Sequence, residues 1–224
     1  MEQNSQTIGE EIANSALHFI GALLGILGLV FLVNNARSSQ PAYVIFASTM
    51  IFMFSASAAY HAIIPIKVKQ FFRIIDHQAI YIFIAGTYTP FCLLALKGTL
   101  GWVLFCFEWL LALAGVILSA IQFRFIKKIE MTIFILMGWA IIGGCIPLAR
   151  SVSLQSIVLL FVGGVLYTAG TFWYRAGKPK PGGGNTGQRP PKSRLFCGHV
   201  IWHLFVLAGA ACHWFSVWFL CNEI

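Results

Sequence analysis

The chain has 224 residues, 58% of them hydrophobic and 10% charged, with a mean hydropathy of +0.81. Soluble domains carry about 25% charged residues, so this composition excludes an ordinary soluble fold and points to the membrane. The formal net charge of +8 falls in loops beside apolar runs. Orientation in the bilayer and anionic lipid account for it, and nucleic acid is not an expected partner.

A helical span needs about 20 apolar residues. Seven segments meet that in chain order: Ala13–Val33, Ala42–Ile64, His77–Leu96, Trp102–Ile121, Met131–Leu148, Leu154–Tyr174 and Val200–Leu220. Breakers separate them at Ser38-Ser39-Gln40-Pro41, Pro65, Lys97-Gly98, Lys127-Lys128, Arg150 and the stretch from Lys178 to Arg194. That last stretch contains Lys-Pro-Lys-Pro-Gly-Gly-Gly and reads as a flexible loop over 178–194. With no internal repeat, residues 1–224 are expected to form one integral-membrane domain. The first polar residues include Glu10 and Glu11 and are acidic, unlike the basic start of a signal peptide, so the N-terminus reads as retained. The six cysteines show no CxxC pairing and mostly lie in apolar runs. They read as small buried hydrophobes rather than a disulfide framework.

Basic residues set the expected orientation. The second, fourth and sixth loops hold Lys67, Lys69, Arg73, Arg124, Lys127, Lys128, Arg175, Lys178, Lys180, Arg189, Lys192 and Arg194. The other three hold only Arg37, Lys97 and Arg150. The positive-inside rule then places the even loops, and the N-terminus, in the cytoplasm and the C-terminus outside. The fold class is all-α, a seven-transmembrane helix bundle.

The few ionisable residues inside spans carry the chemistry, because such groups usually face a cavity, an ion or each other. His199 and His203 are four apart, on one helix face and about 6 Å apart along the axis, the spacing of a two-imidazole metal clamp. The alternation of spans brings His61 and Asp76, the chain's only aspartate, to the same cytoplasmic layer. Three imidazoles with one open position make a catalytic zinc site. Ser57 lies one turn before His61 on the same face; it either bonds its own helix backbone or orients a water or a substrate carbonyl. His77 points about 100° away from Asp76 and is assigned to packing or the interface. His18, with Glu10, Glu11 and Asn14 nearby, reads as structural or as a second layer around the metal. Cys197 falls off the clamp face. His213 lies about 21 Å from His199 along the helix and cannot share its ion.

These motifs resemble the hemolysin III proteins, which are grouped with the progestin and adipoQ receptors. The resemblance rests on Glu10-Glu11-Ile12-Ala13-Asn14-Ser15, Ser57-Ala58-Ala59-Tyr60-His61, Asp76-His77, Gly86-Thr87-Tyr88-Thr89-Pro90, His199-x-x-x-His203 and Cys212-His213. It covers essentially the whole chain. It implies a seven-helix bundle with the N-terminus inside, zinc held by His61, His199 and His203, and Asp76 beside the zinc-bound water. The wider superfamily includes alkaline ceramidases and is regarded as metal-dependent membrane hydrolases. The expected function is therefore a zinc-dependent hydrolase of a lipid amide or ester, with membrane lipid as its substrate, in a bacterial plasma membrane. A receptor or sensor with a structural zinc is the second expectation. A hemolysin-type pore is the third, and it is disfavoured because the outer halves of the spans, apart from His213, read as uncharged.

Overall fold

The computed structural model describes residues 6–36, 40–121, 123, 125–176 and 198–223. The loop over 178–194, Cys197 and Arg124 lie outside the described residues. The described chain is all-helical. Seven helices are long and apolar enough to cross a membrane. This is the expected outcome in a medium where every backbone N–H and C=O must find a partner within its own segment.

Helix α1 runs Ile8–Asn35 and α2 runs Gln40–Ala62. Helix α3 runs Ile66–Pro90 and continues as a π-helical stretch, Phe91–Leu96. Helix α4 runs Gly98–Ala120. The fifth span, α5, runs Ile126–Trp139, tightens to a 3₁₀ turn over Ala140–Gly144 and ends with Cys145–Ala149. Helix α6 runs Leu154–Ala176 and α7 runs Gly198–Glu223. Consecutive helices pack on one another around a ring, which α7 closes by packing on α1. The α1, α3 and α7 N-termini and the α2 C-terminus therefore share one end of the bundle.

Helix α1 opens with a capping box. The Glu10 backbone N–H donates to Thr7 Oγ1 at 3.3 Å, and the Thr7 N–H donates to Glu10 Oε2 at 2.7 Å. Its inward face is small: Gly21, Gly25 and Gly28 are buried, whereas Phe19, Leu23, Leu24, Leu27 and Phe31 face out. Lipid tails are as apolar as leucine, so large side chains gain nothing by facing inward, and close backbone approach decides which face packs. A Cβ at Gly21 would meet Phe54 at 2.8 Å, one at Gly25 would meet Ile51 at 2.9 Å, and one at Gly28 would collide with the Trp214 indole.

The third helix begins eleven residues earlier than the apolar run suggests. It starts at Ile66, directly after Pro65, whose fixed φ suits a helix entry. Lys67, Lys69 and Arg73 therefore sit on α3 and not in a loop. Lys67 and Arg73 are exposed there and Lys69 is buried with its ammonium bonded at the end of α2, whereas a hydropathy reading scores such a charged stretch as loop. Asp76, just ahead of the apolar run, therefore lies not at a helix N-terminus but ten residues, about 15 Å, inside α3. Lys97 (φ 48°) and Gly98 (φ 64°) are both left-handed and turn the chain sharply from the π-helical stretch into α4.

Gly86 shows how tightly α2 and α3 meet, because a Cβ there would overlap the Thr49 side chain, itself bonded to the Phe46 carbonyl at 2.8 Å. Overpacking a dense core costs about 1–3 kcal/mol, so Gly86→Val is expected to lower the thermal midpoint of the detergent-solubilised protein. An unchanged midpoint would contradict this packing.

Candidate metal centre

Three histidines converge at the shared end of the bundle. His61 comes from the last turn of α2, and His199 and His203 come from the first two turns of α7. One ligand atom from each lies within 4.8 Å of the others. The ring centroids are 5.3 Å apart for His61 and His199, 4.9 Å for His61 and His203, and 4.7 Å for His199 and His203. His61 and His203 are buried. These three residues can hold a metal ion.

The nitrogens show which atoms are available for it. His61 Nδ1 lies 2.7 Å from Glu11 Oε2. An ionised carboxylate only accepts hydrogen bonds, so Nδ1 carries the hydrogen and Nε2 keeps its lone pair. That Nε2 is buried with no partner among the described residues, and so is His203 Nδ1. Buried imidazole nitrogens are rarely left unpaired, and two of them facing a third imidazole fit a divalent cation. The donor set is all imidazole, which suits zinc, copper, iron or nickel.

Glu11 backs His61, a contact that the sequence reading, which placed Glu11 only near His18, did not assign. Lys69 Nζ lies 3.1 Å from the same Glu11 oxygen and donates to the Tyr60 and Ile63 carbonyls at 3.1 and 3.3 Å. One lysine thus closes the end of α2 and neutralises the carboxylate that orients His61. The signal was present in the sequence: Glu11, Asn14, Ser15 and His18 recur at i, i+3, i+4 and i+7 and form one polar face on α1. Ser15 Oγ on that face donates to the Ala58 carbonyl at 3.0 Å. A carboxylate behind a metal-binding imidazole raises its basicity, and its removal commonly costs 10–100-fold in metal affinity. Glu11→Gln is expected to weaken zinc binding by about that factor, read by competition against a chelator. Wild-type affinity in that variant would dismiss the arrangement.

His18, buried on the same face, stacks on His203 with centroids 3.9 Å apart and planes at 21°. It forms a second layer on the triad and is not one of the three. Ser57 is buried and lies near Asp76, which is partly buried and within electrostatic reach of His61. Helices α2 and α3 therefore deliver Ser57, Asp76 and His61 to one place. His77 does more than pack: its Nδ1 lies 2.9 Å from Glu130 Oε2 and ties α3 to α5. His213 faces the bundle interior, with Nε2 donating to the Leu160 carbonyl at 3.1 Å, far from the triad. The outer halves of the spans read as uncharged apart from His213, and Glu108 departs from that. Glu108 lies mid-way along α4, fully buried.

A cleft of about 670 Å³ opens beside His61 between α1 and α2, with Ile12, Phe19 and Ile64 along its apolar wall and Glu11 and Lys69 at its polar end. That is the size of an ordinary small-molecule site.

Residues 6–214 match the family model for haemolysin-III-related proteins. The chain is 39% identical over 223 residues to the hemolysin-3 homolog of Bacillus subtilis strain 168, covering 97% of each chain. It is 37% identical over 224 residues to hemolysin-3 of Bacillus cereus, covering 98% of this chain and 95% of the relative. More distantly, it is 26% identical over 220 residues to the human monocyte to macrophage differentiation factor, covering 95% and 84%. With seven membrane-length helices and these relatives, the chain is an integral protein of the bacterial plasma membrane. A family match spanning nearly the whole length, over a bundle that gathers the motif histidines at one end, makes this chain a member of the haemolysin-III-related family within the progestin and adipoQ receptor superfamily.

Proposed function

We propose that the chain is a zinc-dependent membrane hydrolase that cleaves a lipid amide or ester bond. The observation that carries this reading is the triad itself: three imidazoles with a ligand atom each within 4.8 Å of the others, two of them with buried, unpartnered nitrogens, with Ser57 and Asp76 nearby. A structural zinc site is closed by four protein ligands, whereas a catalytic one uses three and keeps a position open. His61, His199 and His203 would hold the ion and take no part in proton transfer. Bound zinc supplies Lewis acidity, polarising a carbonyl and making water a nucleophile near neutral pH.

Asp76 is the general base and acid: it takes the proton of the attacking water and returns it to the leaving amine or alkoxide. The Ser57 hydroxyl orients the Asp76 carboxylate. Glu11 and Lys69 fix the His61 ring. The apolar cleft beside His61 admits an acyl chain from lipid, with the scissile carbonyl near its polar end. The basic residues Lys67, Lys69 and Arg73 lie near the same end of the bundle as the triad, so on this reading the site faces the cytoplasm and the N-terminus lies inside. Residues 1–224 work as one integral-membrane domain.

The test is direct. Purified protein, zinc-loaded and zinc-stripped, is incubated with a panel of lipid amides and esters, and released fatty acid is measured. Zinc-dependent release supports the proposal, and no release on any lipid with the metal fully bound overturns it.

A further inference from the structure

Glu108 is an acid in the middle of a span, and the metal chemistry does not use it. It is residue eleven of the 23 in α4 and is 0% exposed. Neither of its carboxyl oxygens has a hydrogen-bond partner among the described residues. Among the described residues no ion pair reaches it. Ionisable groups at this depth are costly and persist where they bind something or pair.

Its surroundings are unusual as well. Of the elements that pack on α4, α3 and α5 among them, two leave the regular helix: Phe91–Leu96 is π-helical and Ala140–Gly144 is 3₁₀. Such departures concentrate at functional sites. The Tyr88 hydroxyl stitches the second break, donating to the Met137 carbonyl at 2.6 Å and accepting from the Ile141 N–H at 2.8 Å. Its hydrogen-bonding capacity is thereby used. Of the titratable groups on the elements packed against α4, Tyr88 and Cys92 are the ones that feel Glu108. Both are neutral types, and neither supplies a counter-charge. The region is close-packed: a side chain at Gly144 would press on Leu96 and Leu104 at 3.2 and 3.3 Å, and one at Gly101 would overlap the Cys92 carbonyl.

An isolated carboxylate in such a place requires one positive charge. A hydrated metal ion needs room and several oxygen ligands; a proton needs neither. We propose that Glu108 is a proton-binding site in the membrane interior, holding one exchangeable proton as a neutral carboxylic acid. Binding joins one proton to one carboxylate oxygen, with no other bond made or broken. The site is separate from the metal chamber: Asp76 and Tyr88, which mark the two levels on α3, are twelve residues or about 18 Å apart along the helix. The bundle thus carries a buried proton-binding group on α4 that is separate from the metal chamber.

The test uses the full-length protein in lipid nanodiscs at neutral pH, read by infrared spectroscopy. Wild type is expected to show a protonated-carboxyl stretching band that shifts in D₂O and is lost in Glu108→Gln. A band that is absent, or unchanged by Glu108→Gln, overturns the proposal. Glutamine is isosteric with the neutral acid, so Glu108→Gln is also expected to fold with an unaltered thermal midpoint. Failure of that variant to fold would mean the ionised form is needed, and it counts against the proposal. Thermal midpoints in sodium and in choline chloride supply the last arm. Equal values are expected, and stabilisation of wild type by sodium that Glu108→Gln abolishes would assign the site to an alkali cation instead.

Discussion

His199→Ala/His203→Ala is expected to bind no zinc, where wild type is expected to bind one ion per chain. The two residues occupy adjacent turns of one face of α7, and their rings lie 4.7 Å apart. With both gone, His61 alone remains of the three, and one imidazole does not hold zinc against buffer. Loss of a supporting carboxylate alone commonly costs 10–100-fold in affinity, and loss of two direct ligands costs more than that. Elemental analysis after desalting reads the result, with size-exclusion profile and helicity confirming the fold. His18→Phe is the control: it keeps an aromatic ring against His203 but has no nitrogen, and it should retain zinc. Wild-type stoichiometry in the double variant would remove the triad as the metal site.

The second large effect belongs to Asp76. Asp76→Asn preserves the shape of the side chain and its contact with Ser57 but cannot accept the proton of water. General acid–base catalysis contributes about 10²–10⁴-fold, so zinc-dependent hydrolysis is expected to fall by that factor, about 3–5 kcal/mol of barrier. Zinc content should be unchanged. This separates the enzyme from a sensor whose zinc only pins helices together. In a sensor, Asp76→Asn leaves the response intact, whereas replacing His203 loosens the fold. Retained hydrolysis in Asp76→Asn would assign the proton transfer elsewhere.

The candidate site was partly legible before any coordinates. Four-residue spacing put His199 and His203 on one helix face, and the even alternation of spans carried His61 and Asp76 to the same end. Both inferences use local regularities, the helical period and the count of crossings. Glu11 and Lys69 were not found because their role depends on which face of α1 meets α2, and small residues decide that: Gly21, Gly25 and Gly28 let the backbones approach. Beyond the polar face at its N-terminal end, hydropathy favours no side of α1, since every apolar face is equally soluble in lipid. The start of α3 was missed for a related reason. Lys67, Lys69 and Arg73 lower the local hydropathy without breaking the helix. Glu108 was passed over because one acid hardly alters the average of an apolar window.

Membrane insertion depends on the summed hydropathy of each segment, and that sum is written in order along the chain. The number of spans, their helical nature and the level reached by each histidine therefore follow from the sequence by itself. Contacts between helices depend on shape, matched across residues far apart in the chain. Only the tertiary structure therefore decided that Glu11 backs His61, that His18 stacks on His203, and that Glu108 is buried without a partner beside two broken helices.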